Sequence, residues 1–418
     1  MNKKFKIYSL GCKVNQYDSN HLGELLKSSG FVLVEEGADL VIISTCAVTK
    51  SAISKNKRMV NKARKENPGA KIILVGCWPR VYDVKPEDCG ADVVLPIKDD
   101  QTLVKKIVNC QLQTIKNVDI SRLKDKCRYF LKVQDGCEQF CAYCIIPYTR
   151  GKLQSRKLKD VLKEAKKAVR AGFHEVVLSG IHLGLYGINN VDKKTEEKGV
   201  DLVCLLKELI KIKGLERIRL SSIEITEVND RLIELMASEK KICDHLHISL
   251  QSGCNKTLKA MKRPYTCAYF KKRIDKLRRS IPDIAINTDV IVGFPGETNK
   301  DFDLTKKFIK NMAFSRLHVF SFSAHEKTPA FKMTPKVSPD LIKKRSKELR
   351  ALDMELQKEY KSKFKGQTLE LLVEAIRGDK IKGKSEYFFD IWFKKEDMTS
   401  KPKKIDEGLV GKLVKVRI

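Results

Sequence analysis

The sequence predicts an α/β protein with an N-terminal parallel α/β sheet domain, a central partial barrel of six βα units, and a small C-terminal all-β barrel. Three observations carry that prediction. Apolar strand-like runs alternate with helical patterns through residues 1–120, which argues for a parallel sheet. Six more strand-like runs follow, most of them separated by helical segments, and βα units in succession close into a barrel or part of one. From Gly366 the pattern changes to short alternating stretches, the mark of a small β module.

In the first region "KFKIYSL" (Lys4–Leu10), "LVIIST" (Leu40–Thr45) and "KIILVG" (Lys71–Gly76) read as strands. "YDSNHLGELLKSSG" and "KSAISKNKRMVNKARKENPG" between them read as helices, each ending at a glycine suited to a C-terminal cap. In the second region, residues 125–335, the strands are "YFLKVQ", "EVVLSG", "RIRLSS", "HLHISL", "AINTDVIVGF" and "RLHVFSF". The polar segment Ile188–Gly199 reads as a surface loop. Residues 336–365 connect the regions through one long basic helix, with nine Lys and Arg side chains over Ser338–Lys365. Residues 366–418 hold "TLELLVEAI", "EYFFDIWF" and "LVGKLVKVRI".

Composition narrows the function. The 418 residues carry 83 Lys and Arg against 52 Asp and Glu, a net charge of +31. Such an excess points to a polyanionic partner, nucleic acid above all; the plainer alternative is a lysine-rich surface. Hydrophobic residues at 42% suffice for real cores. The "SLGC" near the N-terminus has the look of a lipoprotein cleavage site, but the apolar stretch before it is too short for a signal peptide. No apolar run is long enough to cross a bilayer. These features lead us to expect a soluble, cytoplasmic protein with no membrane partner. Thirteen cysteines, an odd number, in such a chain suit metal-bound thiols better than a disulfide framework.

Two groups of three cysteines stand out. Cys137, Cys141 and Cys144 form a C-x3-C-x2-C pattern, with the next histidine only at His174. A structural zinc site takes four ligands, so either a distant residue completes this one or a coordination position stays open. Cys12, Cys46 and Cys77 each follow one of the three N-terminal strands. The carboxyl ends of parallel strands share one edge, where ligands bind, so three thiols placed there can converge. The alternative is unrelated buried cysteines. Cys89, Cys110, Cys127, Cys204, Cys243, Cys254 and Cys267 have no ligand-like context and read as packing or surface residues.

"CEQFCAYC" resembles the signature of the radical S-adenosylmethionine (SAM) enzymes. "GCKVNQYDS", "STCAVT", "VGCWP", "IIPYTRG", "HISLQSGCNKTLKAMKRPYT", "NTDVIVGFPGET" and "SFSAHEKTPA" resemble hallmarks of the methylthiotransferases among them. The resemblance spans essentially the whole chain, including a C-terminal module similar to an RNA-binding TRAM domain. It implies a radical SAM barrel whose [4Fe–4S] cluster is held by Cys137, Cys141 and Cys144, with SAM on the open iron. It implies a second [4Fe–4S] cluster on Cys12, Cys46 and Cys77. "GCKVNQ" and "QDGCEQFCAYCIIP" are most similar to the subgroup acting on N6-threonylcarbamoyladenosine in tRNA. The activity so implied is methylthiolation of C2 of that base at tRNA position 37. Related groups act on isopentenyladenosine in tRNA or on a ribosomal-protein aspartate.

Glycine-containing strand ends at Leu178–Gly187 and Val292–Glu297 belong at the barrel mouth, and we expect Gly180, His182 and Gln251 to line the SAM pocket. For His182 the alternative is a satisfied loop or core histidine. Arg150, after the cluster loop, is a candidate contact to substrate or SAM, or else a surface salt bridge. The aromatics Tyr387, Phe388, Phe389 and Trp392 can stack bases or fill the small barrel's core. The partners implied are tRNA, an electron donor protein such as flavodoxin or ferredoxin, and a sulfur donor. A reading from another class is a non-catalytic iron–sulfur or zinc protein that binds RNA.

Overall fold

The computed structural model describes residues 3–109, 127–188, 200–399 and 407–418. The expected loop at Ile188–Gly199 lies, from residue 189 onward, outside the described residues, as does Cys110.

The N-terminal region is a five-stranded parallel sheet of order β2-β1-β3-β4-β5. Its strands are β1 (Lys4–Ser9), β2 (Val32–Leu33), β3 (Leu40–Thr45), β4 (Lys71–Gly76) and β5 (Val93–Val94). All six residues of β3 are buried, as a central strand covered on both faces requires. The three expected strands are present and adjacent. The two-residue edge strands β2 and β5 were not foreseen, because so short a run carries no periodicity.

Helix α1 (Lys13–Ser28) ends as expected. Gly30 adopts a left-handed φ of 86°, and the bonds Gly30 N to Lys27 O and Phe31 N to Leu26 O close a Schellman turn. Helix α2 (Lys50–Glu66) starts at Thr49, whose hydroxyl accepts from Ala52 N, but it does not end on a glycine cap. The chain turns extended at Asn67, before Pro68, and the Asn67 side chain accepts from Ala38 N at 3.1 Å, so Gly69 is not needed. The short helices α3 (Cys77–Val81) and α4 (Pro86–Cys89) and helix α5 (Asp100–Asn109) complete the region.

The central strands are β6 (Tyr129–Lys132), β9 (Glu175–Ser179), β10 (Arg217–Leu220), β11 (Ser222–Ile223), β12 (His245–Ile248), β13 (Ala285–Val292) and β14 (Arg316–Ser321). They pair in parallel as β10-β9-β6 and β11-β12-β13-β14. The expected "RIRLSS" strand is thus split at Ser221, its first part in one sheet and its second in the other. Neighbours in space are neighbours in sequence, the arrangement of an open barrel. A two-residue ladder of β7 (Gln134–Asp135) and β8 (Gln154–Ser155) pinches the base of the cysteine loop between them. Helices α6 (Ile146–Arg150), α7 (Leu158–Arg170), α8 (Leu202–Ile210), α9 (Asp230–Ser238), α10 (Asn255–Ala260), α11 (Cys267–Ser280) and α12 (Asn299–Met312) surround the strands.

Helix α13 (Pro339–Ser362) is capped by Ser338 and packs along β14. Its buried face is Arg345, Ser346, Leu349, Leu352, Leu356 and Tyr360, at helical spacing. Arg345 forms a buried pair with Glu297, so it does not belong to any solvent-facing basic track. Among the described residues, no helix is long and apolar enough to cross a membrane.

The C-terminal strands β15 (Thr368–Arg377), β16 (Lys380–Ser385), β17 (Asp390–Phe393) and β18 (Leu413–Arg417) form an antiparallel sheet of order β17-β16-β15-β18. One bridge, Met398 with Val416, turns the sheet back on itself. This module is fastened to the barrel by two buried arginines. Arg219 pairs with Glu175 at 2.8 Å and donates to the Glu386 and Ser385 carbonyls; Arg217 donates to the Lys384 carbonyl and to the Glu370 carboxylate. Phe388 stacks on His245 with ring centroids 4.6 Å apart. A buried guanidinium needs a counter-charge and acceptors, so the basic residues of β10 bind this module.

Asp244 sits at this junction. Burial, reinforced by Glu386 and Asp283, pushes its carboxyl up to about 6. A group whose pKa rises on folding costs nothing below its unfolded pKa, costs stability progressively as the pH rises from there through its folded value, and costs the full amount above it. Asp244→Asn is therefore expected to raise the melting temperature at pH 8 and leave it unchanged near pH 3. Full burial of such a charge is worth about 3 kcal/mol, and solvent screening at this partly exposed site cuts the gain to ~1 kcal/mol. Thermal melts at the two pH values check it.

Candidate active site

The loop carrying Cys137, Cys141 and Cys144 leaves the β7–β8 ladder and is tied at its start by Cys137 N to Gly151 O. Cys141 is buried; the other two are partly so. Two cation-forming side chains reach the sulfurs. His182 Nδ1 lies 3.4 Å from Cys137 Sγ, and Arg263 Nη1 lies 3.2 Å from Cys141 Sγ. Each is backed by a carboxylate, Glu227 behind His182 and Glu224 behind Arg263. Burial opposes the charge on His182, but the Cys137 sulfur and Glu227 outweigh it and raise its pKa to about 10. Burial also pushes the Cys144 thiol up to about 12, with Cys141 adding to the rise. His182 is thus buried with both ring nitrogens partnered, one by the Cys137 sulfur and the other by Glu227. Sequence reasoning missed Glu224, Glu227 and Arg263, whose roles arise from pairs that meet only in space.

Gly180 lies beside the same loop. A Cβ there would fall 3.0 Å from Gln134 Oε1, the atom that accepts from His182 N at 2.7 Å. Its small size therefore seats Gln134 under His182, a packing role. Gln251 holds a left-handed φ of 67°, fixed by backbone bonds from Gln251 N to Asp289 O and from Ile291 N to Gln251 O. It faces a cavity of about 170 Å³ lined also by Val48, Thr49, Tyr143, Asp289 and Phe320. Val48 and Thr49 follow Cys46, and Tyr143 stands between Cys141 and Cys144, so this cavity touches both cysteine loops. His247 Nε2 and His318 Nδ1 lie 2.9 and 3.4 Å from Asp289. Although burial opposes it, they hold this carboxyl well below the usual range. A cavity of about 260 Å³ near Tyr17, His21, Arg156 and Glu164 is larger but contains none of the six cysteines.

Cys12, Cys46 and Cys77 lie at the carboxyl ends of the adjacent strands β1, β3 and β4. Cys46 and Cys77 follow their strands directly, whereas Cys12 comes three residues after Ser9 because Leu10 N still bonds to Ser44 O. Gly11, at φ 107°, allows the approach: a Cβ there would lie 3.0 Å from Cys46 Cβ. Burial pushes Cys46 up to about 11, and Cys77 and Cys12 add to the rise. The loop after Cys46 is hooked to the barrel by His325, whose Nε2 lies 2.9 Å from Val48 O and whose Nδ1 lies 2.7 Å from Tyr82 Oη.

Arg150 is not a surface salt bridge. It is 1% exposed, and its Nη1 donates to Asp18 and Asp135 at 3.0 and 3.2 Å. Lys132 spans the same two carboxylates. Closed to solvent and braced through Nη1 by two carboxylates, Arg150 is not placed to meet a substrate arriving from the surface. Of the C-terminal aromatics, Phe389 is core, Tyr387 packs beside it and Phe388 docks on the barrel; Trp392 is 46% exposed beside Arg377. Cys89, Cys243 and Cys254 are buried, Cys89 in the same apolar cluster as Cys77.

The donor sets fit iron–sulfur clusters better than single ions. A tetrahedral zinc with sulfur ligands at ~2.3 Å requires S···S separations of roughly 3.8 Å. Among the described residues, neither cysteine triad brings its three sulfurs within 4.8 Å of one another; only His247, Asp289 and His318 group that tightly. Four of the thiols are also buried enough to resist ionisation, which metal coordination enforces.

Residues 131–309 match the radical SAM superfamily, and residues 4–95 match an uncharacterized protein family, UPF0004. The chain is 35% identical to the threonylcarbamoyladenosine tRNA methylthiotransferase MtaB of Bacillus subtilis, over 98% of this chain and 92% of the relative. It is 35% identical to the MtaB of Thermotoga maritima over 92% and 90%. It is 33% identical to the tRNA-2-methylthio-N6-dimethylallyladenosine synthase of Acetivibrio thermocellus over 99% and 89%. Among solved structures, the radical SAM methyltransferase TsrM of Kitasatospora setae superposes with a TM-score of 0.57 at 13% identity, covering 79% of this chain and 77% of that one, a likeness of fold. Identity at this level along nearly the full length of both chains, with one cysteine triad in each matched region, makes this chain a member of the radical SAM methylthiotransferase family.

Proposed function

We propose that this enzyme adds a methylthio group to C2 of N6-threonylcarbamoyladenosine at tRNA position 37. The observation that carries the reading is the cavity between the two cysteine loops, bounded by Val48 and Thr49 on one side and by Tyr143, Gln251 and Asp289 on the other. Cys137, Cys141 and Cys144 would hold one [4Fe–4S] cluster, and Cys12, Cys46 and Cys77 a second. When bound, these groups supply one-electron reduction of SAM at the first site and an iron for sulfur at the second; a C2–H bond offers no acidic proton, so side chains alone do not suffice.

The chain's own residues prepare the site. His182 and Arg263 donate to the sulfurs of Cys137 and Cys141 and spread their negative charge, while Glu227 and Glu224 fix the donors in place. Gln251 and Asp289 offer polar atoms to hydroxyls and amines of a cosubstrate. Phe320 and Ile291 give the cavity an apolar wall. His325 keeps the Cys46 loop against the barrel mouth, so the two sites share one cavity.

An adenine reaching that cavity must be unstacked, which suits a single-stranded loop nucleotide. The net charge of +31 supports RNA binding. Trp392, exposed beside Arg377 and Lys380, is a platform for a base in a TRAM-like module. We keep the division into 1–120 for the auxiliary site, 125–335 for the radical SAM core, 336–365 for the connecting helix and 366–418 for RNA. A flavodoxin or ferredoxin would deliver electrons and a separate donor the sulfur, in the cytoplasm where tRNA matures.

Three experiments test the reading. Reconstituted enzyme with SAM, reductant and sulfide should methylthiolate tRNA carrying N6-threonylcarbamoyladenosine and act poorly on unmodified adenosine; equal turnover, or preference for isopentenyladenosine, would overturn the substrate. Replacing Cys137, Cys141 and Cys144 with alanine should abolish SAM cleavage and leave about half the iron. Replacing Cys12, Cys46 and Cys77 should also halve the iron but retain SAM cleavage without tRNA; loss of all iron from either variant contradicts two separate sites. Trp392→Ala should weaken tRNA binding by about 1–3 kcal/mol with no change in salt dependence, since no phosphate contact is lost. Binding titrations at several salt concentrations check that.

A further inference from the structure

Arg150 carries more hydrogen-bonding capacity than its visible partners use. Nη1 alone serves both Asp18 and Asp135. Nε and Nη2 are buried and have no partner within the protein. These two nitrogens form the edge of the guanidinium that presents a pair of parallel N–H groups to two acceptor atoms. Leaving a buried donor unmet costs about 1–3 kcal/mol, more for a charged group. An arginine held in place by two carboxylates and a lysine, with its fork open, is a built feature in want of an acceptor.

Its position says where that acceptor lies. Arg150 ends α6, and α6 packs against α3, whose first residue is Cys77. Ile145, just before α6, sits in the same apolar cluster as Cys77 and Trp78. Lys98 from the N-terminal sheet region takes the Arg150 carbonyl. Through Nη1 Arg150 bonds Asp18 on α1, the helix that begins directly after Cys12. The helix that leaves Cys144 of one triad therefore delivers a guanidinium to the other.

We propose that Arg150 is a positioning residue of the auxiliary site: its Nε–H and Nη2–H donate to the sulfurs of the cluster held by Cys12, Cys46 and Cys77, retaining that cluster and raising its reduction potential. The inference rests on the reading that those three cysteines hold a cluster. Its physical basis is that net charge and hydrogen bonds to sulfur are the protein's main controls on an iron–sulfur potential. It replaces the role first expected of Arg150, contact with substrate or SAM. It also distinguishes Arg150 from a residue that only pins α6, for which Nη1 and its two carboxylates would be enough.

The test uses the full-length protein with Cys137, Cys141 and Cys144 replaced by alanine, reconstituted without oxygen so that only the auxiliary cluster is present. Arg150→Met and Arg150→Lys are made in this parent. Redox titration followed by electron paramagnetic resonance gives the midpoint potential, and iron release to a chelator gives retention. Arg150→Met should shift the potential negative and release iron several-fold faster. Lysine can pair with Asp18 and Asp135 but cannot offer the fork. Arg150→Lys should therefore melt with the parent and still show a negative shift and faster release, and it decides the matter if the methionine variant does not fold. A lysine variant equal to the parent in potential and release would overturn the proposal. A parent that binds no iron would instead overturn the reading that Cys12, Cys46 and Cys77 hold a cluster.

Discussion

The structure is organised around a conflict between burial and ionisation. A thiol binds iron as a thiolate, yet Cys46, Cys77, Cys141 and Cys144 all sit where burial opposes the charged form. A water-filled site would relieve that cost and expose the reaction to solvent. The chain answers instead with paired cations: Arg263 at Cys141, His182 at Cys137 and Arg150 near Cys46 and Cys77. Each of them is itself braced by carboxylates, Glu224, Glu227, or Asp18 with Asp135. The fold's task is to bring these layers together from three regions of the sequence.

That task explains features that would otherwise look unrelated. The Lys132, Asp18, Asp135 and Arg150 network joins α1 of the first region to the start of the second. His325 ties the far side of the barrel to the loop after Cys46. The two attachments hold the auxiliary edge across the barrel mouth from opposite sides. The C-terminal module is attached as firmly by Arg217, Arg219 and Phe388, which close the other end of the barrel. Deleting it would strand two buried guanidinium groups, so an RNA-binding role is better probed by single surface substitutions than by truncation.

Much of the fold was legible because its signals are local. "LVIIST" reads as a buried strand and proves to be one, since a covered parallel strand is apolar at every position. The two cysteine triads were legible for different reasons, one as a tight motif and the other because strand ends share an edge. His182 and Gln251 were found at loops that follow strands. The braces were not legible. Glu224, Glu227 and Arg263 gain their roles from partners 39 to 122 residues away. "RIRLSS" reads simply as a strand, while its arginines are buried by residues more than 150 positions away. Arg150 was singled out from its motif, but its direction depends on α6 turning it inward.

The central claim is that two separate three-thiolate clusters face one cavity, each with an iron free for a different ligand. Mössbauer spectroscopy of the anaerobically reconstituted, iron-57-labelled protein, with and without SAM, tests it most directly. The account predicts two [4Fe–4S] components of equal weight, of which SAM perturbs only the one lost on replacing Cys137, Cys141 and Cys144. A single component accounting for all the iron, or zinc in place of iron, would contradict it.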